Sequence, residues 1–255
     1  MLLKLFGKAR FLDADVEDWC LETWAWLMGN LGGMDRLGNT PLVVPTREFF
    51  PPTNAEGEAR AEYIFDLVKA LMGMADWPCV LEVHDRPDAR QRVGLVAAVN
   101  VGASANGTFR VEGSQAIVSY ARDLADEPRK LIASLAHELD HYLLLSARSP
   151  LPGGDELHEL TTELTVAYSG FGVFGGNHAF SFEQHQDTFS QGWSTSRNGY
   201  FSERTWAFAI ALFAALKGVE IPIDKLKASV ADLAKQASHY LAKNASLLAP
   251  LREIA

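Results

Sequence analysis

The chain has 255 residues, of which 48% are hydrophobic and 22% are charged, a composition typical of a globular protein with a sizeable core. Its formal net charge is -9 at pH 7, and the acidic residues are scattered along the chain. This balance excludes the concentrated basic surface that nucleic-acid binding requires, so we expect no nucleic-acid partner.

The N-terminal residues do not form an apolar core of the kind found in signal peptides, because Lys4, Lys8 and Arg10 interrupt it. The longest apolar stretch, residues 206–216, is shorter than the roughly 20 residues needed to cross a bilayer, and it predicts a buried helix instead. Cys20 and Cys79 form no paired-cysteine pattern and are expected to be buried thiols. We therefore expect a cytoplasmic protein without a membrane span.

The N-terminal third of the chain predicts two helices and one short strand. The first helix, residues 13–29, has acidic residues in its first turn and glycines after its last. The strand covers residues 41–44. Thr53 and Glu56 have the spacing of a capping box at the start of the second helix. The buried face of that helix is formed by Ile64, Leu67, Val68 and Leu71.

The middle of the chain changes to short β-branched runs separated by turn residues, which predicts a small sheet. The strands cover residues 79–83, 94–101, 108–112 and 115–119. A helix follows from Pro128 to about Leu145, with proline in its first turn and apolar residues at helical spacing. Further helices are predicted at residues 155–169, 202–217 and 223–244.

This element order predicts an α+β fold in a single domain, residues 1–255. An N-terminal helical part, residues 1–77, precedes the sheet and the helix after it, residues 78–145. A mostly helical part, residues 146–255, completes the domain.

The helix after the sheet contains the sequence His137-Glu138-Leu139-Asp140-His141, an HExxH motif. Histidines four residues apart lie on one helix face, so both imidazoles can reach a single ion. Glu138 is then placed to contact a water on that ion rather than the ion itself, as a general base must be. The motif predicts a zinc site with Glu138 as the catalytic base.

A catalytic zinc ion needs a third protein ligand, and the next predicted helix offers candidates. Glu159 and Glu163 are four residues apart and share a helix face. Two carboxylates on one face of a mostly apolar helix repel each other unless a cation lies beside them. Both glutamates are therefore candidate metal ligands.

An HExxH motif followed by a glutamate on a downstream helix resembles the gluzincin branch of the zincin metallopeptidases, which includes thermolysin. The resemblance covers about residues 131–165 and implies a zincin-like fold. It also implies that Glu159 is the third zinc ligand and that Glu163 supports a metal-binding histidine. The family often has aspartate at the position of Glu163, and the longer side chain of glutamate leaves open that Glu163 is itself the ligand.

A wider pattern resembles an uncharacterised bacterial group of metallopeptidase-like proteins. It consists of the HExxH helix together with two downstream segments, residues 170–172 and residues 199–203. The N-terminal third of the chain carries no such resemblance.

Hydrolysis of an amide also needs a donor to the oxyanion that forms during attack. Zincins that resemble thermolysin use a tyrosine or a histidine, and the candidates here lie in segments rich in Gly, Ser and Asn. Tyr200 is the first candidate and Arg197 the second, followed by His178 and His185. We expect the other histidines to be surface or packing residues without a metal-spaced partner: His84, His158 and His239.

The sequence therefore predicts a zinc metallopeptidase that acts on a peptide or protein. One alternative is a non-catalytic protein that binds zinc for stability through the same ligands and tolerates the loss of Glu138. Another is an all-helical interaction protein whose histidines are incidental. The sequence identifies neither the substrate nor the oligomeric state.

Overall fold

The structure is a computed structural model that describes residues 10–85, 106–183 and 201–255. Its helices are α1 (Ala14–Leu31), α2 (Gly33–Asn39), α3 (Gly57–Leu71), α4 (Pro128–Leu144), α5 (His158–Tyr168), α6 (Gly172–Glu183), α7 (Glu203–Lys217), α8 (Ala228–Lys243) and α9 (Ala249–Arg252). Its strands are β1 (Cys79–His84), β2 (Gly107–Glu112) and β3 (Gln115–Ala121). The predicted α+β class is confirmed, and the all-helical alternative is wrong.

The sheet has the strand order β1-β3-β2, with β1 parallel and β2 antiparallel to the central strand β3. Every residue of β3 after Gln115 is buried. A buried central strand requires cover on its faces, and α4 packs against both β2 and β3. The sheet therefore supports the helix that carries the HExxH motif.

Helix α7 lies in the core, as the apolar run at residues 206–216 predicts. Ten of these eleven residues are buried, the exception being Ala215. Its start is also as predicted, because the Ser202 hydroxyl accepts a hydrogen bond of 3.1 Å from the Thr205 amide. In the described part of the chain, no helix has the length and apolar character needed to span a membrane.

Helix α6 is absent from the sequence prediction. Gly175 lies against the ring of Trp206, and a Cβ atom on Gly172 would come within 2.9 Å of Ile210. Small residues at these positions let α6 approach α7 closely.

Two predictions near the N-terminus are wrong. Residues 41–44 form no strand; the Val43 amide donates a single hydrogen bond of 2.9 Å to the Gly170 carbonyl. The capping box is absent as well, because α3 begins at Gly57 and Thr53 instead accepts a hydrogen bond from the Ala55 amide. Gly57 has a φ of 53°, a left-handed conformation that a right-handed helix starting at Thr53 could not contain.

The remaining predicted elements are found close to their expected positions. Strands at 79–83, 108–112 and 115–119 and the helices at 13–29, 128–145 and 202–217 match the structure to within two residues. The helix predicted at 155–169 begins as a 3₁₀ turn, Gly154–Leu157, before α5, and the one predicted at 223–244 likewise begins with a 3₁₀ turn, Ile223–Lys225, before α8. The strand predicted at 94–101 lies outside the described residues.

Substitution of Gly170 by alanine tests the connection that ends α5. Gly170 has a φ of 88°, and a Cβ atom there would collide with the Pro41 carbonyl oxygen. We expect Gly170→Ala to lower the free energy of unfolding by about 2–4 kcal/mol, combining left-handed strain with overpacking. Urea denaturation measures this change.

Gly29→Ala is the matched control, because Gly29 lies within α1 and a Cβ atom there would have nothing within 4 Å. We expect this variant to be more stable than the parent by up to about 1 kcal/mol. Equal stability of the two variants would contradict the assigned role of Gly170.

Candidate metal centre

The centre of α4 holds the two histidines of the HExxH motif in a buried position. Pro128 at the start of the helix costs no hydrogen bond, and α4 is buried from Leu131 to His141. His137 is 6% exposed and His141 is 1% exposed. Because they are four residues apart, their imidazoles lie on the same face of α4.

A carboxylate from α5 completes a cluster with these imidazoles. The two Nε2 atoms are 3.2 Å apart. The Glu159 carboxylate lies 3.3 Å from the Nε2 of His137 and 3.8 Å from that of His141. The Glu159 side chain keeps 34% of its surface exposed, so the cluster opens to solvent on this side.

These donor atoms have the spacing of a metal site. A tetrahedral zinc ion with bonds of about 2.0–2.1 Å keeps neighbouring donor atoms about 3.3 Å apart. The two Nε2 atoms are 3.2 Å apart, and the nearest Glu159 oxygens lie at 3.3 Å (Oε2 to His137) and 3.8 Å (Oε1 to His141). One donor atom from each residue lies within 4.8 Å of the other two. Two imidazole nitrogens and one carboxylate also form a donor set typical of a catalytic zinc site, which leaves a fourth position for a water or substrate. The three residues could therefore hold a metal ion.

Protons and metal ions compete for the same nitrogens. Burial acts to lower the pKa of His137, but the hydrogen bond to Glu159 and the charges of Glu163 and Glu138 raise it to about 10. Burial and the neighbouring His137 and His158 hold the pKa of His141 well below its usual value. The surrounding carboxylates thus favour positive charge at the cluster, and a cation provides it.

Glu163 occupies the other edge of His137. Its carboxylate is buried and lies 3.7 Å from the Nδ1 atom of His137. Burial is the main reason that the pKa of Glu163 rises to about 7. A carboxylate on the Nδ1 side of a histidine cannot share an ion with its Nε2, so the geometry favours Glu159 over Glu163 as the third ligand.

His158, which the sequence predicts to be a surface residue rather than a ligand, is half-buried beside the cluster and is not one of the three residues that could hold a metal ion. Its Nε2 atom lies 3.0 Å from the Nδ1 atom of His141, where the Thr162 hydroxyl also approaches to 3.2 Å. The sequence signal was available in the spacing, because His158 and Thr162 are four residues apart on α5. The helix presents two adjacent faces to the site rather than one.

Glu138 follows His137 on α4 and lies against the start of β2. It is fully buried, and its charge contributes to the raised pKa of His137. A Cβ atom on Gly107 would come within 2.9 Å of the Glu138 Cγ, the Ser134 hydroxyl and the Ser119 carbonyl. The backbone of Gly107 therefore packs directly against the glutamate.

Asp140 is a second buried carboxylate of the motif that the sequence analysis did not assign. Its Oδ1 accepts a hydrogen bond of 2.6 Å from the Ser169 hydroxyl at the end of α5. Burial raises the pKa of Asp140 to about 8, against the opposing effects of Ser169 and Arg36. This contact joins α4 to the helix that supplies Glu159.

Of the candidate oxyanion donors, His178 is the one within the described residues, and it does not belong to the cluster. Tyr200, Arg197 and His185 lie outside the described residues. His178 lies in α6 rather than in a loop, and burial together with nearby Lys130, Lys227 and Arg129 lowers its pKa to about 4. The role of Tyr200 and Arg197 stays a prediction.

The remaining histidines and the cysteines belong to no metal cluster in residues 10–85, 106–183 and 201–255. His84 ends β1, and His239 is exposed on α8, as expected for residues outside the site. Cys20 is buried and Cys79 is partly buried, and both are free thiols.

Comparison with known proteins adds no relative: the chain matches no family model, no curated protein and no solved structure.

Metal binding is expected to release protons. The raised pKa of His137, about 10, favours an imidazolium with protons on both nitrogens in the metal-free protein near neutral pH. The Nε2 atom must lose its proton to bind zinc. We expect zinc affinity to rise between about pH 7 and pH 9, by up to about tenfold per pH unit for one proton released. Calorimetric titration with zinc in two buffers of different ionisation enthalpy measures the number of protons. A binding heat that is the same in both buffers would contradict this expectation.

Proposed function

We propose that the protein hydrolyses an amide bond of a peptide or protein with a zinc ion held by His137, His141 and Glu159. The observation that carries the proposal is the convergence of two Nε2 atoms and one carboxylate beside the glutamate of an HExxH motif. When bound, zinc would lower the pKa of water from about 15.7 to about 7 and polarise a substrate carbonyl.

Glu138 would act as the general base in this reaction. It follows the first ligand on α4 and approaches the cluster without belonging to it. Its carboxylate can accept a proton from the attacking water on one Oε atom and deliver it to the nitrogen of the leaving amine. Because Glu138 is removed from bulk water, the proton stays in the site between the two steps.

The remaining assignments follow the resemblance to gluzincins. Glu163 would hold His137 in orientation from its Nδ1 side, in the place where that family often has aspartate. Tyr200, or else Arg197, would donate a hydrogen bond to the oxyanion. The zincin-like fold is part of the same proposal.

The sheet supports a peptide as the substrate. β2 lies at an edge of the sheet formed by the described strands, and its first residue, Gly107, packs against Glu138. An extended peptide can add to a sheet edge through main-chain hydrogen bonds, independently of its sequence. A peptide bound along β2 would pass close to the proposed base.

Substitution of Glu138 by glutamine separates catalysis from metal binding. We expect Glu138→Gln to retain one equivalent of zinc and to lose at least about a hundredfold in peptide cleavage, the usual contribution of a general base. His137→Ala should lose both. Zinc content is measured by elemental analysis, and cleavage by mass spectrometry of peptides released from unfolded casein.

Glu156→Gln is the matched control, because Glu156 is exposed and precedes α5. It should keep both zinc and cleavage. Undiminished cleavage by Glu138→Gln would refute the assigned base and favour a zinc-stabilised binding protein. A wild-type chain that binds no zinc would refute the proposal as a whole.

Gly107→Ala tests whether β2 positions Glu138. The added methyl group would displace either Glu138 or the backbone of β3, because the Ser119 carbonyl offers no side chain that could rotate away. We expect cleavage to fall by at least about tenfold through a lower kcat, while the zinc content stays unchanged.

Gly38→Ala is the control for this variant, since a Cβ atom there would have nothing within 4 Å. It should leave both quantities unchanged. A Gly107→Ala protein with the parent kcat would show that the close approach of β2 is unimportant for the base.

A further inference from the structure

The two imidazoles of His141 and His158 are joined edge to edge. The Nδ1 atom of His141 and the Nε2 atom of His158 are 3.0 Å apart. The ring planes differ by 8° and the ring centroids are 5.1 Å apart. If the two nitrogens pointed straight at each other within one plane, the centroid separation would equal the nitrogen–nitrogen distance plus the distance from centroid to nitrogen in each ring. The observed separation is close to this sum. The rings are therefore nearly coplanar and share an in-plane hydrogen bond.

The protonation of this pair follows from its neighbours. Thr162 donates its hydroxyl proton to the His158 carbonyl at 3.0 Å, so towards the His141 ring its oxygen serves as an acceptor. His141 therefore carries its proton on Nδ1, and the lone pair is on Nε2, the atom that lies 3.2 Å from His137 Nε2. The Nε2 atom of His158 is then an acceptor.

We infer that His158 is a positioning residue that fixes the tautomer and the orientation of His141, so that the His141 Nε2 presents its lone pair to a divalent cation. The inference rests on the proposed metal site. Ligand histidines commonly donate their second ring N–H to a carboxylate, a backbone carbonyl or water. Here a neutral imidazole takes that place.

The support at His141 is closer than the support at His137. Glu163 lies 3.7 Å from His137 Nδ1, beyond the range of a direct hydrogen bond. His158 is within that range of His141, and Thr162 lies at its outer limit of 3.2 Å. Of the two histidines, His141 therefore has the more fully specified orientation.

A neutral acceptor suits this position on electrostatic grounds. Glu138, Asp140 and Glu163 are already buried around the two histidines. Burial already raises the pKa of Asp140 and Glu163, and a further carboxylate beside His141 would add another negative charge to the same low-dielectric surroundings. An imidazole supplies the hydrogen-bond acceptor without adding a negative charge.

The test compares zinc affinities of variants by competition with a chromophoric chelator. We expect His158→Ala to weaken zinc binding by about 10–100-fold. His158→Gln retains an acceptor oxygen and should recover most of the loss. Thr162→Val removes the longer contact to His141 together with the hydrogen bond to the His158 carbonyl. It keeps the His158 ring and should cost less than His158→Ala. His239→Ala, at an exposed position on α8, should match the parent.

Nitrogen NMR of the histidine rings gives a second readout, which a purely structural role for His158 would not determine. In the zinc-loaded parent, His158 should be protonated on Nδ1, with Nε2 as the acceptor. A His158 ring protonated on Nε2, or a His158→Ala protein with the parent zinc affinity, would overturn the inference.

Failure of the inference is distinguishable from failure of the proposed function. If the parent binds zinc and cleaves peptides while His158→Ala binds zinc equally well, only the role of His158 is lost. If the parent binds no zinc at all, the metal site itself is refuted and the inference with it. Thermal unfolding of the metal-free variants confirms that His158→Ala and His158→Gln are folded.

Discussion

Burial of charge in the middle of α4 is the constraint on which the site depends. Glu138, Asp140 and Glu163 are carboxylates with 0–4% exposure, gathered around two nearly buried histidines. Ionised groups removed from water must be paired or neutralised, because the cost of an uncompensated buried charge is several kcal/mol. Ser169 satisfies one oxygen of Asp140, and the raised pKa of His137 reflects the demand for positive charge in its surroundings. A divalent cation at the Nε2 atoms would meet the same demand more fully than one proton.

Helix α5 organises this site through two neighbouring rows of side chains. Glu159 and Glu163 face His137, one on each edge of its ring, whereas His158 and Thr162 meet the outer edge of His141. Each row is an i, i+4 pair, and so is the pair of histidines on α4. Both helices therefore contribute side chains at a spacing of four residues. The hydrogen bond between Asp140 of α4 and Ser169, at the C-terminal end of α5, joins the two helices.

The rest of the molecule keeps these two helices in place. The sheet covers α4 from one side, with Gly107 small enough to let β2 reach Glu138. Close approaches also occur between the α6 backbone and side chains of α7, and between Gly170, where α5 ends, and the backbone carbonyl of Pro41. At all three places a glycine permits a distance that any larger residue would prevent. The position of Glu138 and the packing of α5, α6 and α7 therefore depend on glycines that lie outside the motif in the sequence.

Spacing along the chain by itself determined α4, the shared face of His137 and His141, and the candidacy of Glu159 and Glu163, because helical periodicity is a local property that adjacent residues encode. Spacing could not show that residues 41–44 lack a partner strand, because the hydrogen-bond partners of a strand come from other segments of the chain. Nor could it show that α3 begins only at Gly57, whose left-handed backbone is not encoded by the apolar pattern. Only the tertiary structure decided which atom each side chain of α5 faces. Glu159 faces the Nε2 atoms of both histidines, Glu163 faces the Nδ1 atom of His137, and His158 faces the Nδ1 atom of His141. The direction in which one helix faces another depends on how the two pack, and periodicity within either helix leaves that rotation undetermined.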